Sequence, residues 1–248
     1  KGVKLSSNMA AWDWQIMFDE IIGGSSSQYK PYPPDGNKAI LICGSEGWNN
    51  YRHQADLLHV YHTLKRNNYS DDDIILIMRD DIAYNPKNPY KGVIRVSSNG
   101  ENLYQNVVMD YRADTLSTQD IEDILAGNKN NRLSTVLEST ATDNVLLYWT
   151  GHGTKKSFSW LETEEKFTDE QFGAAIRKLY EDRKYQSMLI CAEPCYSGSV
   201  VKAIEGTPLV LGISAADDNE SSFADNFSND LGVWMCDRFT SNLVRIVN

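Results

Sequence analysis

Cysteine is scarce, positive charge is outweighed and long apolar runs are missing from this 248-residue sequence. Four cysteines are too few for a disulfide scaffold, although an even count permits up to two bridges. With 24 Lys and Arg against 34 Asp and Glu, the formal net charge is −10. That balance excludes nucleic acid and anionic membrane surfaces as partners, because both require clustered positive charge. No run of about 18 apolar residues is present, so no membrane-spanning segment is expected. "GSEG" at residues 44–47 lacks the further glycine and the spaced acid of a dinucleotide-binding loop, and no cofactor is expected. No charged-then-apolar leader opens the chain. A start at Lys1 reads as a form from which a leader has been removed, so the expected setting is extracytoplasmic: secreted, periplasmic or lysosome-like.

What is present divides into a head and a body. In residues 1–36, Trp12, Ile16, Phe18 and Ile22 recur at roughly helical spacing, and "GGSSSQYKPYPPDG" then breaks regular structure. This reads as a helix on a Ser/Gly/Pro linker, either a regulatory segment across a cleft or a structural belt. Residues 37–248, helped by 41% hydrophobic content overall, can bury a full core as one domain. Short, near-continuous apolar runs are expected as strands at Ala39–Cys43, Ile74–Met78, Asn144–Thr150, Ser187–Ala192 and Leu209–Ser214. Helices are expected at His53–Arg66, near Thr118–Leu125 and at Asp169–Tyr180. Such alternation gives a layered α/β sheet with parallel strands covered on both faces. Cys43 and Cys191, inside two of the runs, are read as small buried hydrophobes.

In sheets of this kind ligands bind beyond the carboxyl ends of the strands. Four such ends carry chemistry here: "GSEGWNNYRHQAD", "GHG", "EPC" and "AADDNESS". A thiol is the strong nucleophile among these groups, and a histidine at a neighbouring strand end is its natural proton carrier. Cys195 and His152 are the candidate pair. Gly153, without a side chain, lets a backbone N–H approach a developing oxyanion, which the N–H of Cys195 can share.

Taken together, "NYRHQAD" (50–56), "DDIAYNPKNP" (80–89), "GHG" (151–153), "EPCYSGS" (193–199) and "NESS" (219–222) resemble the legumain family of cysteine peptidases, which also contains the catalytic subunit of the GPI transamidase. The resemblance covers most of residues 37–248. It implies a caspase-like three-layer α/β/α sandwich with a mostly parallel sheet. It also implies a Cys195–His152 dyad, an Asn50 that orients the histidine, and a peptide or protein as substrate. Arg52 and Glu193 then line the pocket for the side chain before the scissile bond, with His53 and Ser221 as further wall positions. A guanidinium donates and a carboxylate accepts, so the two match a carboxamide, which favours asparagine.

Two departures stand out. The family's "LGDW" reads "LGVW" here, placing Val233 where an acid is expected, and Gly151 precedes the histidine as in the transamidase branch. The tail "GVWMCDRFT" also resembles that branch, whereas Glu193 leans toward the peptidases. The expected function is an endopeptidase cleaving after Asn, with Asp or a broader choice open. The alternatives are a transamidase or peptide ligase, and a catalytically silent peptide-binding module. The sequence leaves the oligomeric state open.

The remaining patterns are weaker. His59 and His62, at helical spacing, are read as a solvated face rather than a metal site, and no metal site is expected. Asp71–Asp73 is read as a solvated turn. Sequons at Asn68, Asn219 and Asn226 carry glycans only in a glycosylating secretory pathway.

Overall fold

The computed structural model describes residues 34–247. The head helix expected before them lies outside the described residues. Five parallel pairings build one six-stranded sheet from β1 (Gly36–Cys43), β2 (Ile74–Met78), β3 (Tyr111–Arg112), β4 (Asp143–Thr150), β8 (Ser187–Ala192) and β9 (Val210–Ser214), in the order β3-β2-β1-β4-β8-β9. From β1 the chain moves outward one way through β2 and β3, then returns to the other side of β1 as β4. The carboxyl ends of β1 and β4 therefore flank a topological switch point, where open α/β sheets bind their ligands.

Alternate residues of each strand feed two apolar layers. Ile40, Ile42, Ile75, Leu147, Trp149 and Ile190 face one layer, covered by α2 (Thr118–Ala126) and α3 (Asp169–Glu181). Leu41, Cys43, Leu76, Leu146, Tyr148 and Cys191 face the other. That layer is covered by α1 (Tyr51–Arg66), β11 (Val233–Asp237) and the closing helix α5 (Arg238–Val247). This is the caspase-like α/β/α sandwich that the resemblance implied, and burial on both faces is why the strands read as continuous apolar runs.

Local chemistry sets the helix limits. Ser117 with Asp120, and Thr168 with Gln171, form capping boxes at α2 and α3, and Gly127 ends α2 at a φ of 79°. A small antiparallel ribbon follows β4: β5 (Gly153–Thr154), β6 (Ser157–Ser159) and β7 (Lys166–Thr168). It is anchored to the sheet by Phe158 and Phe167, whose rings stack on Trp149 with centroids 4.9 and 5.4 Å away.

The four thiols are all free, so the bridges that an even count permits are not formed. Cys43 and Cys191 are fully buried, as read, and burial pushes the Cys43 thiol up to about 12. The reading of His59 and His62 is corrected: they do not lie on a solvated face. His62 Nε2 meets the Leu103 carbonyl at 2.8 Å, and burial pushes His59 down to about 4. The Asp71–Asp73 turn has no buried residue, as read, and its surface pairs are Asp73 with Lys38 and Asp71 with Lys65. Among the described residues, no helix is long and apolar enough to cross a membrane.

Because the ribbon carries the residues that follow His152, Phe158→Ala tests its anchoring. The ring is fully buried, and its loss is expected to cost about 3–5 kcal/mol. Urea unfolding measures it as a lower midpoint at unchanged slope. A cost below about 1 kcal/mol contradicts the anchoring role.

Candidate active site

The strand register places the site. Trp149 of β4 pairs with Ala192 of β8, and His152 and Cys195 each lie three residues beyond that pair. Gly151, at a φ of 140°, carries the chain back against β1's end, where an added Cβ would lie 3.2 Å from the Gly44 carbonyl carbon. Gly153 is pressed onto the second strand end. A Cβ there would collide with the Cys195 carbonyl oxygen and lie 2.8 Å from Pro194 Cβ, so only glycine fits. Cys195 itself sits on a sharp turn. The next residue, Tyr196, adopts a φ of 58° and starts the short helix α4 (Ser197–Val201), while its N–H is tied to the Glu220 carbonyl at 2.8 Å.

Asn50 comes from the β1 side, at the end of a 3-10 turn that leads into α1, and is buried. Its Nδ2 donates to the Glu46 carbonyl at 2.7 Å, which turns Oδ1 toward His152 Nε2 at 2.8 Å. An accepting oxygen there fixes the proton on Nε2 and leaves Nδ1 with a free lone pair. Burial, then the Arg52 charge, holds the His152 imidazolium below the ordinary range, so the ring rests as a neutral base. The half-buried Cys195 Sγ lies 3.6 Å from Ser222 Oγ.

A second layer of charge lies behind these groups. Arg52, on the first turn of α1, donates from Nε to Asp237 Oδ1 at 3.0 Å. Asp237 ends β11, and its N–H is held by Asp56 Oδ2 at 2.8 Å. Its other oxygen faces His53 Nε2 at 3.6 Å. His53 Nδ1 meets Ser45 Oγ at 2.6 Å, and its ring stands edge-on to His152 with centroids 5.0 Å apart. Burial holds His53 neutral. Glu193 is 1% exposed and accepts from the N–H of Thr240 at 3.1 Å and from its hydroxyl. Oε1 of Glu193 and Oδ1 of Asp56 have no hydrogen-bond partner among the described residues. Burial, reinforced by repulsion from Asp237, pushes Glu193 and Asp56 well above the usual carboxylate range. Burial raises Asp237 too, and the Arg52 charge bonded to it opposes that rise.

The candidates named from sequence therefore lie as follows. Asn50, His152, Gly153 and Cys195 meet at one edge, and Arg52 and His53 adjoin it. Glu193 lies buried beneath, on Thr240. Ser221 is exposed, and it is its neighbour Ser222 that touches the thiol. Val233 is buried in the apolar layer. Sequence reasoning passed over Ser222, Asp56 and Asp237. Asp56 could have been found as the residue one helical turn after Arg52, and Asp237 as the single acid closing the apolar run "VWMCD". Among the described residues, no group of three or more His, Cys, Asp or Glu could hold a metal ion.

Residues 37–247 match the model of the Peptidase C13 family. Similar curated proteins include a putative GPI-anchor transamidase from Caenorhabditis elegans, 34% identical over 218 residues, which are 85% of this chain and 66% of that one. Mouse legumain is 33% identical over 238 residues, covering 93% of this chain and 54% of its own. The delta-isozyme of vacuolar-processing enzyme from Arabidopsis thaliana is 33% identical over 189 residues, 75% and 40% of the two. The chain thus spans about half to two thirds of the first two relatives' length. On these matches and this fold, the chain belongs to the peptidase C13 family.

Proposed function

We propose that this chain is a cysteine endopeptidase that cleaves peptide bonds after asparagine. The observation that carries the proposal is the 2.8 Å Asn50–His152 bond, which leaves Nδ1 free beside a strand end bearing Cys195. In the proposed reaction His152 Nδ1 takes the thiol proton and Cys195 Sγ attacks the substrate carbonyl carbon. The N–H groups of Gly153 and Cys195 hold the oxyanion. As the carbon–nitrogen bond breaks, the imidazolium gives its proton to the leaving amine, and a thioester remains on Cys195. Water, deprotonated by the same ring, then releases the acid and restores the thiol.

The pocket for asparagine is built on Arg52, which donates to the side-chain carbonyl, and on Glu193, whose unbonded Oε1 is the acceptor for the amide NH₂. His53 and Ser221 are proposed wall positions. The names legumain and vacuolar-processing enzyme among the relatives support hydrolysis, and the latter supports an extracytoplasmic setting. The transamidase relative supports a second reading, in which an amine replaces water at the thioester.

Two outcomes are expected. A peptide cleaved by the wild-type protein after Asn should remain intact with Cys195→Ala, and the matched Ala peptide should be cleaved at least about 100-fold more slowly. Equal rates on the Asn and Ala peptides would remove the pocket. Adding a nucleophilic peptide separates the readings, since a joined product shows aminolysis. The depressed His152 imidazolium predicts a second result. Protonation removes the base only below its ordinary pKa of about 6.5, so the acid limb of kcat/KM should be centred below that value. An acid limb centred at about pH 7 contradicts the neutral-base assignment.

A further inference from the structure

We propose that Asp237 is the positioning residue that holds the Arg52 guanidinium where it can receive the substrate side chain, an inference that rests on Arg52 lining the asparagine pocket. Arg52 sits on the first turn of α1 with a side chain only 18% exposed, at the boundary between the buried charge layer and the cleft. An arginine has several rotatable bonds, and its value in a pocket depends on which donors are spent and which are presented. Asp237 Oδ1 takes Nε at 3.0 Å, which leaves the two terminal nitrogens for a ligand carbonyl.

Asp237 can do this because it is itself immobilised on three sides. Its backbone N–H is clamped by Asp56 Oδ2, Oδ2 faces His53 Nε2, and the residue is 2% exposed. Neither of the other buried carboxylates bonds Arg52: Glu193 Oε2 accepts from Thr240, and Asp56 Oδ2 accepts from the Asp237 backbone N–H. Along β11 the two alternate positions on the buried side, Val233 and Met235, are apolar members of the core. The acid that the family pattern places at 233 is therefore supplied to this pocket from 237, at the other end of the same strand. Asp237 also connects pocket and dyad, since the His53 it faces packs against the His152 ring.

The test uses peptides that differ only in Asn or Ala before the scissile bond, with the ratio of their kcat/KM values as readout. Asp237→Asn should lower the Asn/Ala ratio by about 100-fold, mainly through KM for the Asn peptide, because misplacing one binding group by about 1 Å has that scale of effect. Alkylation of Cys195 by iodoacetamide, which needs no pocket, should keep its wild-type rate. Asp237→Glu keeps a negative charge beside Arg52, which protects folding, but shifts the guanidinium by a methylene and should also lower the ratio. Arg52→Ala is measured alongside. If Arg52→Ala abolishes the preference while folded Asp237→Asn or Asp237→Glu retains it, the role of Asp237 is overturned and the pocket stands. If Arg52→Ala retains the preference, the pocket reading itself fails. A slowed alkylation in Asp237→Asn with an unchanged Asn/Ala ratio also overturns the proposal, because Asp237 would then act on the dyad alone.

Discussion

The site depends on the register between two central strands. β4 and β8 run parallel with Trp149 opposite Ala192, so the third residue past that pair on each strand, His152 and Cys195, falls on the same edge. In a pleated strand a slip of one residue sends every side chain to the opposite face. Here that slip is opposed from both sides at once, because alternate residues such as Leu146, Tyr148, Leu147 and Trp149 fill two different apolar layers. The glycines at 151 and 153 then complete what the register begins. One lets the loop touch Gly44 and so reach the Asn50 side, and the other lets the backbone lie on the Cys195 carbonyl. Core packing thus sets the position of the thiol and the imidazole, and the loops only refine it.

Beneath that edge the electrostatics are constrained just as tightly. Asp56, Glu193 and Asp237 are all buried, and Arg52 is the cation bonded to one of them. A guanidinium can neutralise one carboxylate, and leaving two more ionised in the interior would cost several kcal/mol each. The outcome is a division of labour in which Asp237 keeps the Arg52 partner while burial drives Glu193 and Asp56 toward their protonated forms. The Arg52 charge draws Glu193 back toward its ionised form, in which Oε1 accepts, so the layer offers a donor and an acceptor side by side. That is the setting in which an uncharged carboxamide is favoured over a charged side chain.

The sheet was readable because its signal is strong and local. Ile74–Met78 and Ser187–Ala192 appear with the expected bounds, and α1 begins two residues before the expected His53. What escaped was structure whose cause is not local. β5 to β7 are two or three residues long and exist because Phe158 and Phe167 stack on Trp149. β10 (Ala224–Ser228) is held by pairing with β11, and β11 by packing on α1, which the linear pattern does not reveal. For the candidate site, strand-end position was enough to single out His152 and Cys195, and resemblance named Asn50, Arg52 and Glu193. Asp237 was missed because its meaning comes from a partner 185 residues away in the chain, and Ser222 because the choice between two adjacent serines is made by the backbone of residues 220–223.

The central claim is that Cys195, served by His152, forms a covalent bond to the acyl carbon of a peptide. Intact-mass spectrometry of protein quenched in acid within the first turnover of an asparaginyl ester tests this directly. The account predicts an adduct of the acyl group's mass, mapped by digestion to Cys195 and lost in His152→Ala. A protein that turns the ester over with no adduct, or with the adduct on Cys43, Cys191 or Cys236, contradicts it.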